Sequence, residues 1–164
     1  MRSSNVVKRT LCLLLLASML IVAAMPAFAA TRGSGAYVVD KVETEGERLI
    51  VHDGPWGDEI TRLDPGTVVV YKSRKSGWWK VEFYTGSGWV DPKYLTSVTA
   101  LPNAKYKAIK KIPVFSKAKT SSTYLGMLKT SKKVSIVDKS KNWVRIRLGS
   151  HYGWTQAKYL RRVS

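Results

Sequence analysis

The residues able to do covalent or metal chemistry are few. One cysteine, Cys12, and two histidines, His52 and His151, are the whole stock. A single cysteine excludes a disulfide scaffold, a cysteine-based zinc site and a redox pair within one chain. A zinc amidase needs several histidines and acids at fixed spacing. His52-Asp53 beside serines can be drawn as part of a triad, yet no nucleophile elbow surrounds any serine. His52 therefore reads as a loop residue and His151 as a turn residue. Asp53, Asp58, Glu59 and Asp64 lack the alternating acids and terminal glutamate of a calcium loop, and read as a solvated acidic edge. Catalytic residues, metal and cofactor are all expected to be none. The chemistry left is that of binding. Trp143, Arg145 and Arg147 are spaced by two, so a strand would hold them on one side. An indole can stack on the apolar face of a sugar while the guanidinium forks grip an anion. An equal reading makes Trp143 a lid packed on a neighbouring loop.

What must position those residues is a chain of 164 residues, 45% of them hydrophobic, with six Trp and eight Tyr. That is too aromatic for a disordered tail. The formal charge is +17, and it is unevenly spread. From Ala30 to Asn103 there are 9 basic and 10 acidic residues, and from Ala104 to Ser164 there are 16 basic residues and one acid, Asp138. So sharp a break implies two units with different surfaces.

The amino-terminal residues read as a targeting segment. Arg2, Lys8 and Arg9 precede an uncharged run from Leu11 to Met25 that is apolar but for Ser18. Pro26 and the Ala27-Phe28-Ala29 step then form the three-part pattern of a secretory signal over 1–29. The rival reading is an uncleaved anchor, the one route by which this chain would contact a membrane. Cleavage after Ala29 would leave no cysteine at all, which excludes a cysteine nucleophile.

The remainder repeats itself. Gly88-Trp89-Val90-Asp91-Pro92-Lys93-Tyr94-Leu95 matches Gly153-Trp154-Thr155-Gln156-Ala157-Lys158-Tyr159-Leu160 at an offset of 65, and the same offset without gaps pairs Trp78 with Trp143 and Val69 with Val134. Each unit reads as about five short strands. Val68-Val69-Val70-Tyr71 and Val134-Ser135-Ile136-Val137 are β-branched runs. In the next strands Trp79, Val81 and Phe83, and Val144, Ile146 and Leu148, alternate with wetter residues. No useful amphipathic helix appears. A small closed barrel, ending in a one-turn Lys-Tyr-Leu cap, leaves few open edges. The expected class is all-β, two tandem small barrels over 30–96 and 105–164, joined by a linker at 97–104.

Leu49-Ile50-Val51-His52-Asp53-Gly54-Pro55, Pro65-Gly66-Thr67-Val68-Val69, Gly77-Trp78-Trp79-Lys80-Val81 and the Gly-Trp…Lys-Tyr-Leu ending together resemble a bacterial SH3 (SH3b) domain. The second unit resembles a more divergent one, with Ser131 where Gly66 stands. The resemblance implies SH3-like barrels and an exported module that attaches something to the envelope, typically to peptidoglycan; that it is non-catalytic is expected from the missing cysteine and the sparse histidines.

On that reading the ligand residues are Trp56, Trp78 and Tyr84 in the first unit, with Tyr124, Trp143, Arg145, Arg147 and Tyr152 in the second. Trp56 is an unpaired indole on a loop, facing Ser121 in the gapless alignment. Trp89 and Trp154, in the cap motif, and Trp79, in register with Val144, read as core. The expected partner is peptidoglycan or an anionic wall polymer, drawn by delocalised charge. The alternative is an envelope protein or peptide partner, and an intracellular nucleic-acid partner is not expected behind a signal segment. The acidic stretch Asp40, Glu43, Glu45, Glu47, Asp53, Asp58, Glu59 and Asp64 is expected to dock on the basic unit, within one molecule or between two.

Overall fold

The computed structural model describes residues 33–40 and 47–163. The segment expected to be a signal, and Glu43 and Glu45, lie outside the described residues. Arg32–Ser164 make one compact unit. It is all-β, with three single-turn 3-10 helices and no α-helix among the described residues.

Fourteen strands form two seven-stranded antiparallel sheets. The first holds β1 (Ala36–Val39), β2 (Leu49–His52), β3 (Glu59–Leu63), β4 (Val68–Lys75), β5 (Trp78–Phe83), β6 (Gly86–Val90) and β7 (Leu95–Ser97). The second holds β8 (Lys105–Ala108), β9 (Ile112–Phe115), β10 (Tyr124–Leu128), β11 (Lys133–Ser140), β12 (Trp143–Leu148), β13 (His151–Gln156) and β14 (Leu160–Val163). The orders β3-β2-β6-β5-β4-β1-β7 and β10-β9-β13-β12-β11-β8-β14 are the same, strand for strand.

The expectation of closed barrels is corrected: neither sheet closes on itself. The pairing runs open from β3 to β7 and from β10 to β14. Closure would need the end strands to meet, but β3 turns four of its five residues to solvent and β7 has only three residues. The sheets are nevertheless strongly curled. Tyr37, Leu49, Leu63, Val69, Val81 and Val90, from six strands, share one buried cluster. Laid flat, seven strands would span roughly 29 Å, too wide for that. Bulges in β4 opposite β5, and at the equivalent place in β11 opposite β12, supply part of the bend. At the β4–β5 hairpin Ser76 and Gly77 both take positive φ, the tight mirror-image turn that matches strand twist.

The gapless alignment fails at one place. His52 pairs with Trp89, and Phe115 pairs with Trp154, so His52 and Phe115 are counterparts. The loop from β9 to β10 is therefore two residues longer than that from β2 to β3. Gly88 and Gly153 confirm the register: a Cβ on either would strike the γ-carbon of Val51 or of Val114 at 2.3 Å.

Alternation also fails, and for a physical reason. All four residues of β1 are buried. One face, Tyr37 and Val39, looks into the core of the first half. The other face, Ala36 and Val38 with Val68 and Val70 of β4, joins a second cluster with Tyr106, Ile146, Ala157 and Leu160 of the second half. Val98, in the segment between the halves, is fully buried in the same cluster. The seam between the halves is thus a hydrophobic core in its own right. The equivalent face of the second half carries Lys105, Lys107, Lys133 and Ser135 and stays wet or half-wet. An apolar docking face occurs once, and its copy is closed to further association by charge.

Polar groups frame the seam. The Arg162 N–H donates to the Gly66 carbonyl at 2.8 Å, and Thr67 bridges Arg161. Arg161 meets Asp64 at 3.0 Å and Arg162 meets Asp40 at 3.5 Å. Glu82 accepts from both Lys72 of its own half and Lys158 of the other. The acidic edge does dock within one molecule, through Asp40 and Asp64. Glu59 instead pairs with Arg62 of its own strand.

Candidate functional site

On the outer face of β2, β5 and β6 lie His52, Trp78, Lys80 and Trp89. His52 is not a loop residue but the end of β2. Its Nδ1 lies 2.7 Å from the Gly57 carbonyl, and its ring meets Trp78 edge to face at 4.9 Å. Trp78 meets Trp56 in the same way at 5.3 Å. Trp56 takes a φ of 63° and is 80% exposed. A left-handed backbone costs a large residue roughly 1–2 kcal/mol, and solvating an indole costs more. The loop holds both against their own preference, through the Gly57–Gly54 backbone bond and the His52 contact. Such strain, kept where a hydrophobic ring faces water, marks a contact surface.

The second half repeats the cluster with other residues. Phe115 stands in the place of His52 and meets Trp143 edge to face at 5.8 Å and Tyr124 at 6.2 Å. Beside it, pairing brings Arg145 opposite Trp154 and Arg147 opposite Tyr152. The Arg145 guanidinium lies 4.7 Å from the Tyr152 ring centre. Trp143, Arg145, Arg147, Tyr124 and Tyr152 are therefore one continuous face. Trp56 and Trp78 make another. Tyr84 belongs to neither: it lies in the β5–β6 turn, at the seam, 5.8 Å from Tyr159.

Two expectations change. Trp89 and Trp154 are not core. Gly88 and Val90, and Gly153 and Thr155, point inward, so the indoles between them are half-exposed on the outer faces. Trp79 does pack against the core, wedged edge-on between Tyr37 and Tyr71. Sequence reasoning missed His52, Phe115 and Trp154 as members of the aromatic faces. The signal for the first two was their position just before the β2–β3 and β9–β10 loops, hidden by the two-residue insertion.

Charge separates the faces. In the first half Lys80 and Glu82 stand where the second half has Arg145 and Arg147. Glu82 is already committed: burial raises its pKa, but the hydrogen bonds of Lys158 and Lys72 outweigh that and hold it below the usual glutamate range. Lys158 is raised correspondingly, chiefly by its bond to Glu82. No carboxylate lies within ion-pair distance of Arg145 or Arg147 among the described residues; Arg147 Nε donates to the Gly149 carbonyl at 3.1 Å, and the terminal N–H groups of both are left for an anion. No cluster of three or more His, Cys, Asp or Glu side chains forms among the described residues. Nor is any described helix long and apolar enough to cross a membrane.

Residues 110–161 match the family model of the bacterial SH3 domain. Among solved structures, NlpC2 from Trichomonas vaginalis is similar over 77% of this chain, at 16% identity and a TM-score of 0.36, and NlpC1 from the same organism at 16% identity and 0.35. The matched part covers 47% and 45% of those two chains, under half of each. No curated protein matches. Residues 110–161, in the second half, are thus similar to the bacterial SH3 domain.

Proposed function

We propose that the protein is a secreted, non-catalytic binding module of the bacterial cell envelope, with the first half a second copy of the same domain. Its ligand is peptidoglycan or an anionic polymer attached to it. The observation that carries this reading is the outer face of the second half, where aromatic rings and unpaired guanidinium groups alternate in register. Rings stack on sugar faces, and forks take phosphate or carboxylate. The first half adds an uncharged contact through Trp56 and Trp78. The lysines, scattered over turns and edges, give the long-range attraction that concentrates the protein on a polyanion.

The similarity of residues 110–161 to the bacterial SH3 domain supports an envelope role. The identity of the seam residues argues against the alternative of a protein partner docking on the first half, since its apolar face is already covered within the chain. Tryptophan fluorescence of the full chain, titrated with soluble glycan strands released from sacculi, tests the proposal. Saturable change that Trp143→Ala removes supports it. No change with glycan strands, but a response to an envelope protein extract, contradicts it.

A further inference from the structure

Three shallow hollows lie near the seam; two share lining residues, and the third adjoins them through the Tyr84–Tyr159 contact. One, of about 260 Å³, is lined by Lys110, Phe115, Trp143 and Tyr159 of the second half. A second, of about 230 Å³, lies across the seam between Tyr84, Ile109, Lys158 and Arg161. A third, of about 460 Å³, is lined by Lys72, Lys80, Tyr84 and Lys158. Tyr84 and Lys158 belong to both of the last two. The first joins them through Lys110, whose Nζ lies 4.3 Å from the Tyr159 ring centre and 5.5 Å from that of Tyr84. Tyr84 and Tyr159, one from each half, touch edge to face.

We infer that these hollows are a single track for an anionic glycan, which enters over Trp143 and crosses the seam onto the first half at Tyr84. The inference rests on the envelope-polymer reading and names the site within it. The charge argues for an anion. Lys80, Lys110 and Lys111 have no carboxylate partner among the described residues, and Glu82 is shared between two ammonium groups, so that cluster stays cationic. The rings argue for sugar, since Tyr84 is 48% exposed and its ring lies 5.5 Å from the Lys110 ammonium. The shape argues for a chain: each hollow is small and open, but they follow one another, as a polymer needs and a compact ligand does not. The seam fixes the spacing of the hollows, because its core and its backbone bond leave the halves no freedom to part.

The track predicts a dependence on ligand length. The probes are hyaluronan oligosaccharides, which carry a carboxylate on alternate sugars, and chitin oligosaccharides of equal length without charge. Binding to the full chain is measured by calorimetry at low salt. A short hyaluronan oligosaccharide binds at Trp143, and one long enough to cross the seam binds roughly tenfold more tightly, the gain expected from one further stacked ring and one further ion contact. Tyr84→Ala and Lys80→Ala, neither in the hollow at Trp143, each remove most of that gain and leave the short oligosaccharide unaffected. Tyr84→Phe keeps it, which separates loss of the ring from loss of the fold. A length gain that survives both alanine variants overturns the track, as does an equal gain with chitin oligosaccharides. Short sugars that bind with no length gain overturn the track alone, whereas no sugar binding at any length overturns the envelope reading and the track with it. Tighter binding of single-stranded DNA, with the same dependence on Tyr84, overturns the glycan assignment in favour of nucleic acid.

Discussion

The backbone N–H of Arg162 donates to the carbonyl of Gly66, 2.8 Å away, and this bond joins the last strand of the second half to the β3–β4 turn of the first. The approach is possible because residue 66 is glycine. It takes a φ of 86°, and a Cβ there would lie 3.0 Å from the Arg162 carbonyl oxygen. The counterpart, Ser131, is exposed and does not take a positive φ, so a side chain is tolerated there.

Gly66→Ala is therefore expected to destabilise the unit by about 1–3 kcal/mol, through backbone strain and a displaced strand. Urea unfolding checks it. Ser131→Ala, as the matched control, is expected to change stability by less than about 0.5 kcal/mol.

The apolar face of the seam gives a sharper contrast. Val68 is fully buried, while its counterpart Lys133 is exposed. Val68→Lys places an ammonium group in a core without a partner, at a cost of about 3 kcal/mol or more. Thermal unfolding is expected to broaden or split, since the halves lose what couples them. The reverse change, Lys133→Val, is expected to leave the fold intact and to promote self-association, visible as a concentration-dependent mass by light scattering.

How much of this could be read beforehand follows from the kind of information each feature needs. Strand positions were legible because Val68-Val69-Val70 and the alternation from Trp78 to Phe83 are local patterns. The common strand order of the two sheets has a local trace in the two Gly-Trp…Lys-Tyr-Leu stretches. The seam was not, because a strand buried on both faces looks in sequence like any apolar run, and nothing local says what covers Ala36 and Val38. Docking of the acidic stretch was foreseen from charge, but Glu82 was missed: it sits outside the acidic stretch and acts through Lys158, far away in sequence. Trp89 and Trp154 were assigned to the core because they sit in the cap motif. Their parity against Gly88 and Gly153 decides the matter, and only the close approach of Val51 and Val114 shows which parity is inward. Closure into barrels was expected from strand number, whereas the three-residue β7 and the exposed β3 leave the sheets open.

Glu82 should confer pH dependence. Its folded pKa is depressed below that of the unfolded chain by Lys158 and Lys72, against an opposing effect of burial. A depressed carboxyl contributes stability that is complete above its unfolded value, near 4.5, and is lost as pH falls through the folded value. Unfolding free energies at pH 7 and pH 3 check it. The wild type is expected to lose more stability than Glu82→Gln over that range, and equal losses would remove Glu82 from the account.

At Trp56, stability and binding should separate. Trp56→Gly relieves a left-handed backbone, worth roughly 1 kcal/mol, and loses one edge-to-face ring contact of similar size. Thermal stability is expected within about 0.5 kcal/mol of wild type, while affinity for sacculi falls roughly tenfold. A large loss of stability with unchanged binding would make Trp56 structural.

The most direct test of the central claim is co-sedimentation of the full chain with purified sacculi, with and without acid extraction of anionic polymers, across a salt series. The predicted result is saturable binding that weakens with salt, and whose salt dependence becomes shallower in Arg145→Ala/Arg147→Ala by about two ion contacts. The contradicting result is a chain that stays in the supernatant at every salt concentration, or one that sediments equally well without both guanidinium groups and without Trp143.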